Sequence, residues 1–446
     1  MSMSKSNASF AGRRNAPAGG EGRHCREVRD SAVSLLRRFG SDEGGNILVV
    51  TGIALPLLLG AIGTAIAFSV ANNTRSNMQT SLDSAVLAGV SVSDVESVQI
   101  ATAQDFFQGN LKNFALASAK DINASFTVSG ATLYGEASGS VANPFSGLIG
   151  TETIAANVKA VAIKKQIPIC VLGLNGLDNG SFDINGSAAQ FNADCAVQAN
   201  SNAGYGMSME GNPKATAKKF GVSGGHKGDG FSPNPTDGSP KVADPYASLP
   251  FPDYDDCSAG KGKKGDNIKD DTTLSPGTYC GGIHIFGNGT RVTLQPGIYV
   301  MVDGPFWVDS SSIVTGDQVM IAFTGKGAAL QLWGNSSVSL TSPVSGTYTN
   351  MQFMQDWRDD NTKGLWSSVG GNGNNAKLQY DGVAYFPSEN WWVYGNANVT
   401  ANSPSLAIVA DKIWTQGSAS VTITNNNPRN LPVTVPKTTI GAVLIK

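Results

Sequence analysis

The longest uninterrupted hydrophobic run is Ile47–Val70, 24 residues without a charged side chain. About 20 apolar residues in an α-helix span the hydrocarbon core of a bilayer, so this run is long enough to cross a membrane. Pro56 is compatible with that role, because neighbouring groups satisfy the freed backbone groups in lipid. The alternatives are a buried helix of a soluble protein and a cleaved signal peptide, but the run is too long for a signal peptide and no A-x-A site follows it. We therefore predict a membrane anchor from Ile47 to Val70, with Pro56 inside it.

The pattern becomes amphipathic after the hydrophobic run. In Ala71–Val90 and again in Val95–Ala119, apolar side chains recur three and four positions apart, which predicts two helical stretches. The recurring residues are Met78, Leu82, Ala85 and Val86 in the first stretch and Phe106, Phe107, Leu111 and Phe114 in the second. Ser125–Ser140 and Thr151–Ile163 then alternate apolar with small or polar residues, as half-buried strands do. This order predicts a small membrane-proximal α+β domain over residues 71–165.

Repeated phrases characterise the C-terminal part. LSPGTY at Leu274–Tyr279 recurs twenty residues later as LQPGIY at Leu294–Tyr299. A second phrase, G-[NS]-x-x-V-[ST], begins at Gly334, Gly395 and Gly417. A short unit of turn, strand and turn buries its apolar face by stacking on its neighbours, so we predict that residues 166–446 form an all-β repeat domain, a right-handed parallel β-helix. A β-sandwich is the alternative, because the spacing widens later in the chain.

Composition and charge identify two irregular regions and an orientation. Residues 200–272 are rich in Gly, Pro, Lys and Asp and are predicted to be an insertion. Residues 1–46 combine Gly, Ser, Arg and Pro with few apolar side chains, which predicts a disordered tail. Arginines concentrate before the hydrophobic run, at Arg26, Arg29, Arg37 and Arg38, whereas only Arg75 is close after it. The positive-inside rule therefore predicts a single-pass protein with a cytoplasmic N-terminus and with residues 71–446 exported.

The overall charge excludes one class of function. The formal net charge is −2, and only 15% of the residues are charged. Such a chain lacks the basic footprint of a nucleic-acid-binding protein, so we expect no nucleic acid among its partners.

Four of the five cysteines, Cys170, Cys195, Cys257 and Cys280, fall in the predicted exported part, and Cys25 falls in the tail. An even number of cysteines in an oxidising compartment indicates disulfides. Four cysteines allow three pairings, of which we favour the nearest-neighbour one, Cys170–Cys195 with Cys257–Cys280. A zinc site is the alternative, but the sequence has neither a C-x-x-C pair nor paired histidines to complete one.

Candidate catalytic groups are few. The best cluster is Asp356, Arg358, Asp359 and Asp360, and two of its carboxylates would act as acid and base only if the segment folded around a substrate. A charged loop between strands is the simpler interpretation, and we adopt it. The sequence has no nucleotide-binding glycine loop in a strand–helix context. We predict no catalytic residues, no metal site and no cofactor.

All seven tryptophans lie in the last third of the chain, from Trp307 to Trp414. In the segment WWVY, a strand directs Trp391 to one face and Trp392 and Tyr394 to the other. Exposed rings bind sugars or protein partners, whereas buried rings fill the core. The clustering predicts an aromatic interaction patch, with Trp391, Trp392 and Tyr394 as its candidate residues.

The residues around the hydrophobic run resemble a known family. Gly45–Asn46, Ala54–Leu55–Pro56 and the later segment Asp83–Ala88 (DSAVLA) occur in that order. Their order and spacing are similar to the N-terminal region of TadG-like proteins of the Flp/Tad (tight adherence) pilus-assembly system. The resemblance covers roughly residues 43–165.

Two positions depart from the family pattern. Ala67 stands where members often have Asp near the outer end of the membrane helix. Many members also carry a C-terminal von Willebrand A domain with a D-x-S-x-S metal motif, and the nearest string here, Asp309–Ile313, breaks at its last position. That metal motif is therefore not transferred to this chain.

The resemblance implies a role in the assembly or envelope anchoring of Flp/Tad-type pili. The implied mechanism is structural: the membrane helix and the segment with Asp83, Ala85, Leu87 and Ala88 pack against sister proteins, and the β-rich domain offers an interaction surface. The expected partners are other pilus-assembly proteins and the lipid bilayer, with envelope glycan as a further candidate. The alternatives are a membrane-tethered adhesin or glycan-binding protein and, third, a polysaccharide-active enzyme.

Overall fold

The computed structural model describes residues 46–92, 95–113, 119–143, 146, 152–257, 265–371, 375–403, 406–425 and 433–445. Nearly all of the predicted cytoplasmic tail, with Cys25 and the arginines before the hydrophobic run, lies outside the described residues. The chain divides into two compact units. One holds the described residues up to Ala85 with 103–127 and 134–160, and the other holds 86–102, 128–133 and the residues from Val161 onwards.

One uninterrupted helix, α1 (Asn46–Val92), joins the predicted membrane anchor to the first amphipathic stretch. At 1.5 Å per residue it extends about 70 Å, more than twice the thickness of the hydrocarbon core of a bilayer. A second helix, α2 (Glu96–Asn113), has Glu96 in its first turn and Lys112 in its last turn, which complements the helix dipole. Phe114 and most of the predicted end of this helix lie outside the described residues.

Three strands follow the helices: β1 (Ala119–Ser129), β2 (Thr132–Ala142) and β3 (Thr153–Gly173). β1 pairs with β2, and β2 pairs with β3. The sequence pattern predicted one strand over Ser125–Ser140, but the chain turns at Gly130, whose φ of 58° lies in the left-handed region that suits glycine. The predicted alternation is present along β2, where buried and exposed side chains follow one another.

The remaining strands are mostly short. In chain order they are β4 (Phe182–Gly186), β5 (Gln190–Ala193), β6 (Ala196–Ala199), β7 (Met207–Gly211), β8 (Lys214–Thr216), β9 (Lys219–Val222), β10 (His226–Lys227), β11 (Phe231–Ser232), β12 (Asp266–Ile268), β13 (Thr272–Leu274), β14 (Gly277–Cys280), β15 (Ile283–Ile285), β16 (Arg291–Leu294), β17 (Gly297–Val302), β18 (Phe306–Val308), β19 (Ile313–Gly316), β20 (Val319–Thr324), β21 (Leu330–Trp333), β22 (Ser337–Thr341), β23 (Met351–Gln355), β24 (Trp366–Gly370), β25 (Lys377–Asp381), β26 (Val383–Val393), β27 (Asn398–Asn402), β28 (Ile408–Gln416), β29 (Ser420–Thr424) and β30 (Lys437–Ile445). A 3-10 turn at Asp360–Thr362 lies between β23 and β24. β30 pairs antiparallel with the middle of β3, from Val161 to Pro168.

The other strands from the end of β3 onwards pair in parallel and form three rows, which we call ladders. Ladder A has the order β14–β17–β20–β23–β26–β28–β3–β6–β9. Ladder B has the order β12–β15–β18–β21–β24–β26–β28–β4–β7–β10. Ladder C has the order β13–β16–β19–β22–β25–β27–β29–β5–β8–β11. The long strands β26 and β28 contribute to both ladder A and ladder B. Along the chain, successive strands such as β17, β18 and β19 belong to ladders A, B and C in turn.

The order of strands within the ladders differs from their order along the chain. We call each stretch of chain that supplies the ladders once a pass. The passes from β3 to β11 occupy one end of the ladders, and the pass that begins at β12 occupies the opposite end. Later passes advance towards the first one, so that β28 and β29 pair with β3, β4 and β5. As a result, Trp414 and Asp183 are direct neighbours in register although 231 positions separate them.

Residues 237–257, which we call the strap, cross ladder A from one end towards the other. Near the start of the strap, Nδ2 of Asn200, next to β6, donates to the carbonyl oxygen of Val242 at 2.7 Å. Near its end, the backbone N–H of Asp255 donates to Oγ1 of Thr278 in β14 at 2.9 Å. The insertion predicted at 200–272 is therefore narrower than expected, because β7 to β11 already belong to the ladders. Residues 258–264 of this insertion, which include Lys261, Lys263 and Lys264, lie outside the described residues.

Apolar side chains fill two clusters around the ladders. The larger one draws on all three ladders, with Phe182 from ladder B, Val314 from ladder C and Phe323 from ladder A among its fully buried members. The smaller one joins the other face of ladder A to Tyr246 and Phe251 of the strap. Ladder A is thus covered by apolar groups on both of its faces, as strands in the interior of a protein are.

The first leucines of the two LxPGxY phrases, Leu274 and Leu294, are in register in ladder C, and the tyrosines that end the phrases lie two residues out of register in ladder A. Tyr279 and Tyr299, which end the two LxPGxY phrases, stack with ring centroids 5.8 Å apart. Gly395 and Gly417 form the turns from ladder B to ladder C, with φ values of 72° and 84°. A Cβ on Gly395 would lie 2.3 Å from the carbonyl oxygen of Gly371, so this turn requires glycine both for its conformation and for its close approach.

Candidate functional site

The first part of α1 exposes its large apolar side chains. Consecutive residues such as Leu57, Leu58 and Leu59 are all exposed, and the buried positions of this part, Gly63 and Ala67, carry small residues. An amphipathic helix of a soluble protein buries a stripe of large apolar side chains, whereas the large apolar side chains here are exposed. The helix is also long and apolar enough to cross a membrane. The predicted anchor, Ile47 to Val70 with Pro56, therefore presents the surface that a bilayer requires.

The second part of α1 buries one stripe. Met78, Leu82 and Ala85 are fully buried at the spacings that the sequence pattern predicted. Within the predicted partner motif, Ala85 is covered by the chain itself, whereas Asp83, Leu87 and Ala88 are half-buried. These three residues are the part of the motif that is accessible to another protein.

A polar cleft of about 760 Å³ lies beside this part of α1. Gln79 donates from Nε2 to Oδ1 of Asp83 at 2.7 Å and to the carbonyl oxygen of Lys159 at 2.9 Å. Lys159 also forms an ion pair with Glu136, with Nζ and Oε1 2.6 Å apart. Both charged side chains are largely exposed, so this pair contributes less than about 1 kcal/mol to stability.

Ladder B carries aromatic side chains on its outer face, which we call the aromatic row: Trp307, Trp333, Trp366, Trp392, Tyr394 and Trp414. Each ring alternates with buried neighbours such as Val308, Leu332 and Ile413, which point into the core. The rings are partly exposed, and Trp366 is the most exposed, at 37%. Five successive strands of ladder B, from β18 to β28, contribute to the row.

The rings of the aromatic row support one another. Trp392 and Tyr394 are stacked with centroids 4.1 Å apart. Trp366 contacts Trp392 and Trp414 at 5.3 and 4.8 Å, with interplanar angles of 69° and 65°. Trp414 is fixed further because its Nε1 donates to the carbonyl oxygen of Gly180 at 2.7 Å. Such aromatic pairs are worth about 1 kcal/mol each beyond the area that they bury, so the row is a preformed surface.

The predicted interaction patch requires one correction. Trp392 and Tyr394 are in the aromatic row, but Trp391 is only 1% exposed and packs in the main core beside Tyr380 and Phe386. The physical reason is the two-residue period of the strand, which directs Trp391 to the face opposite to Trp392.

The segment that contains the exposed helix also has relatives of known family. Residues 45–94 match the Tad family, putative Flp pilus-assembly TadE/G-like. Nothing among the curated proteins or the solved structures matches the chain. The matched residues, which we call the Tad segment, confirm the resemblance over 45–94 of the roughly 43–165 that the sequence suggested. The exposed apolar helix and the Tad segment together indicate a membrane-anchored protein.

Outside the Tad segment, the carboxylates considered for catalysis hold a turn together. Oδ1 of Asp356 accepts from Nε of Arg358 at 3.0 Å, and the Asp356 side chain is buried. Asp359 caps the 3-10 turn, because its Oδ1 accepts from the backbone N–H of Asn361 and its Oδ2 from that of Gly325. Asp360 is exposed and pairs with Lys363. The structure thus gives these carboxylates partners in and beside the turn, where Asp356 and Asp359 both accept from the hydroxyl of Thr324, at 3.4 and 3.3 Å.

We expect Asp359→Ala to weaken this turn by about 1 kcal/mol, the usual cost of losing a capping carboxylate. Burial by itself raises the pKa of Asp359, but the hydrogen bonds from Asn361, Gly325 and Thr324 outweigh it and hold the pKa below its ordinary value. The stabilisation is therefore complete above the pKa of the unfolded chain and disappears as the pH falls through the folded pKa. Urea unfolding followed by tryptophan fluorescence measures the free energy of unfolding of Asp359→Ala and of the unmodified protein. We expect the difference between the two values to shrink below about pH 4.

Asp360→Ala is the matched control for that measurement. Its side chain is 85% exposed, so removing it changes the stability by less than about 0.5 kcal/mol. Equal effects of the two substitutions would contradict the capping role of Asp359.

Cys170, Cys195, Cys257 and Cys280 form the two nearest-neighbour pairs. Cys170 and Cys195 have Cα atoms 5.8 Å apart, and Cys257 and Cys280 have Cα atoms 5.6 Å apart, both within the range of disulfides. Cys170–Cys195 joins adjacent strands of ladder A at β3 and just before β6, and Cys257–Cys280 joins the strap to β14. In the described ranges, no group of three or more His, Cys, Asp or Glu is placed to hold a metal ion.

Two polar clusters were not predicted from the sequence. Asp244 of the strap accepts from the hydroxyl of Tyr385 at 2.8 Å and from the backbone N–H of Tyr246 at 2.9 Å. Glu389 is fully buried in β26 and accepts from the hydroxyl of Ser367 at 2.7 Å. The sequence shows only that Glu389 has the same strand parity as Trp391, and the burial of Trp391 in the structure identifies that face as the core. No local pattern pairs Asp244 with Tyr385, which lies 141 positions away.

Proposed function

We propose that this protein is a single-pass component of a Flp/Tad-type pilus system in a bacterial inner membrane, with its N-terminus in the cytoplasm and residues 71–446 in the periplasm. The observation that supports it most is the match of the Tad segment to α1, whose apolar side chains are exposed. The arginines before the hydrophobic run support the orientation. Two cysteine pairs at disulfide distance agree with an oxidising compartment for the β ladders.

We further propose that ladders A, B and C form a right-handed parallel β-helix. The support is that successive strands serve the three ladders in turn and that their pairings are parallel in the described registers. The two sheets of a β-sandwich are typically antiparallel, which disfavours that alternative. A right-handed coil is the hand that crossover connections between parallel strands adopt.

In this proposal the protein acts through binding. The Tad segment anchors it and contacts other pilus-assembly proteins through Asp83, Leu87, Ala88 and the exposed part of α1. The β ladders present a rigid exported surface to a further partner. The partners of the carboxylates at 356–360 favour this structural role over polysaccharide cleavage.

The orientation is tested with thiol labelling of the full-length protein in cells. Thr273 is exposed in ladder C, so Thr273→Cys supplies a thiol in the part proposed to be exported. We expect a membrane-impermeant maleimide to label this thiol in cells with a permeabilised outer membrane, and to label Cys25 only after the inner membrane is lysed. Labelling of Cys25 before lysis, with Thr273→Cys protected, would reverse the proposed topology.

The pilus role is tested with a photo-crosslinking residue at Phe68, an exposed position of α1, and a control at Thr273. We expect Phe68 to capture pilus-assembly proteins identified by mass spectrometry, and we expect deletion of the gene to remove or shorten the pili. Intact pili with lost attachment would instead support the membrane-tethered adhesin. Intact pili and unchanged attachment would contradict both functions.

A further inference from the structure

We propose that the aromatic row on ladder B is a binding site for a neutral polysaccharide chain. This site belongs to the β ladders, and the argument for it does not depend on the pilus role of the Tad segment. It rests on the length of the row, on the polar groups within it, and on the charge of its surroundings.

The aromatic row has the dimensions of an extended oligosaccharide. Its rings come from five successive strands of ladder B, and strands in a sheet are spaced 4.7–4.9 Å apart, so the row is roughly 19 Å long. A pyranose ring has an apolar face of C–H groups that packs flat on an aromatic ring. Several sugar units therefore contact the row at once, starting from Trp366, its most exposed ring.

Polar side chains occupy the same outer positions between and beside the rings. In register along ladder B, Trp307 is followed by Gln331, Ser368, Trp392 and Trp414. The next outer positions are Asp183 and Ser208, which hydrogen-bond to each other. These outer positions lack aliphatic side chains, which an apolar protein partner would use. Rings for the C–H faces together with amide, hydroxyl and carboxyl groups for the sugar hydroxyls are what a carbohydrate requires.

Two lysines beside the row are paired with carboxylates, and the carboxyl of Asp183 accepts from Ser208, so these positions do not form a positively charged groove. Lys412 pairs with Asp178 at 2.8 Å, and Lys227 pairs with Glu210 at 2.7 Å. A single-stranded nucleic acid also stacks on aromatic rings, but it requires a positively charged groove. The paired charges therefore favour a neutral ligand.

The test is affinity electrophoresis of the full-length protein in detergent micelles. Native gels contain one soluble polysaccharide each: hydroxyethyl cellulose, xylan, glucomannan and glycol chitin as neutral probes, and polygalacturonate as an acidic one. We expect at least one neutral polysaccharide to retard the protein, and polygalacturonate to have little effect. The substitution Trp366→Ala removes the most exposed ring, which has no described hydrogen bond, and is expected to weaken binding at least tenfold.

The control variant is Thr400→Ala, on the outer face of ladder C, which is expected to bind like the unmodified protein. Thermal unfolding followed by circular dichroism shows whether Trp366→Ala keeps the fold. If Trp366→Ala is destabilised, Trp366→Phe keeps a ring in place and is expected to restore most of the binding. The proposal is overturned if no neutral polysaccharide retards the protein, if the folded Trp366→Ala variant binds unchanged, or if the row binds only a protein partner.

Discussion

Glu389→Gln is expected to stabilise the β ladders at pH 8.5 and to have little effect at pH 4.5. Glu389 is fully buried, and one of its oxygens accepts from the hydroxyl of Ser367, which in turn accepts from the backbone N–H of Leu330. The other oxygen, Oε1, has no hydrogen-bond partner among the described residues. Burial raises the pKa of Glu389 to about 8, and the hydrogen bond from Ser367 only partly opposes that rise. The folded protein therefore holds Glu389 neutral at neutral pH.

The direction of the pH effect follows from the two states of the chain. In the unfolded chain Glu389 loses its proton above an ordinary pKa of 4.5, whereas in the folded chain it keeps the proton until about pH 8. The unfolded state thus binds fewer protons between these values, and stability falls as the pH rises through them. Since one pKa unit corresponds to about 1.4 kcal/mol, the full loss is on the order of 4 kcal/mol at pH 8.5. The amide of glutamine cannot ionise, so Glu389→Gln removes this loss.

Urea unfolding followed by tryptophan fluorescence is the appropriate measurement, because all seven tryptophans lie in the β ladders or their connecting turns. The unmodified protein and Glu389→Gln are compared in detergent micelles at intervals between pH 4.5 and pH 8.5. Glu210→Gln is the control, because Glu210 is exposed and pairs with Lys227 at the surface, where the loss of an ion pair has little effect on stability. A constant difference between Glu389→Gln and the unmodified protein across this pH range would show that Glu389 is not held neutral by the fold.

The local periodicity of the sequence predicted where helices and strands occur better than it predicted which strands pair with each other. The three- and four-residue spacing of Met78, Leu82 and Ala85 predicted the buried stripe of α1, because it depends only on helix geometry. The predicted anchor and the first amphipathic stretch are one helix, because no proline follows Pro56 in α1 to end it. The repeated phrases predicted turns that recur once per pass, and Gly395 and Gly417 occupy such turns.

The order of the ladders could not be read from those periods. The sequence of a strand such as β28 shows which of its residues are apolar. It does not show that β28 pairs with β3 and β4 along one edge. That pairing arises because the strap returns the chain to the far end of ladder A, so that the last pass advances onto the first. Partners more than 200 positions apart, such as Trp414 and Gly180, leave no trace in a local pattern.

The aromatic row was predicted only in part, because it too depends on strand pairings that a local pattern does not show. Strand alternation placed Trp392 and Tyr394 on one face and Trp391 on the other, but it did not show which face was buried. The identity of the outer face depends on the apolar groups of ladders A and C that meet Trp391 in the core. Trp307, Trp333, Trp366 and Trp414 join the aromatic row only through parallel registers that the sequence does not specify.

Tyr246→Ala is expected to release the strap from ladder A. Tyr246 is 2% exposed, and its ring lies 5.3 Å from that of Tyr385 in the smaller apolar cluster. Removing a buried aromatic side chain costs about 3–5 kcal/mol, because the site loses both the transfer energy and the packing around the cavity. The nearby carboxylate of Asp244, whose pKa is raised by burial, loses the cover of the same ring.

Hydrogen exchange of the full-length protein in micelles measures this release directly. A local loss of about 3 kcal/mol corresponds to exchange roughly 100-fold faster for amides that are protected only while the strap is docked. The informative amide is that of Val242, which donates to Oδ1 of Asn200 at 2.9 Å. Amides in ladder C, such as those of β22 and β25, are expected to change little, because the strap does not pair with them.

Tyr254→Ala separates the effect of a buried ring from the effect of the substitution itself. Tyr254 belongs to the same strap, but its side chain is 47% exposed, so its removal costs less than about 0.5 kcal/mol. The Cys257–Cys280 pair keeps the end of the strap close to β14 in both variants, so any faster exchange in Tyr246→Ala reports undocking between fixed ends. The Val242 amide could instead exchange at the same rate in Tyr246→Ala and Tyr254→Ala. That result would show that hydrogen bonds and the disulfide hold the strap, and that the apolar cluster on ladder A does not.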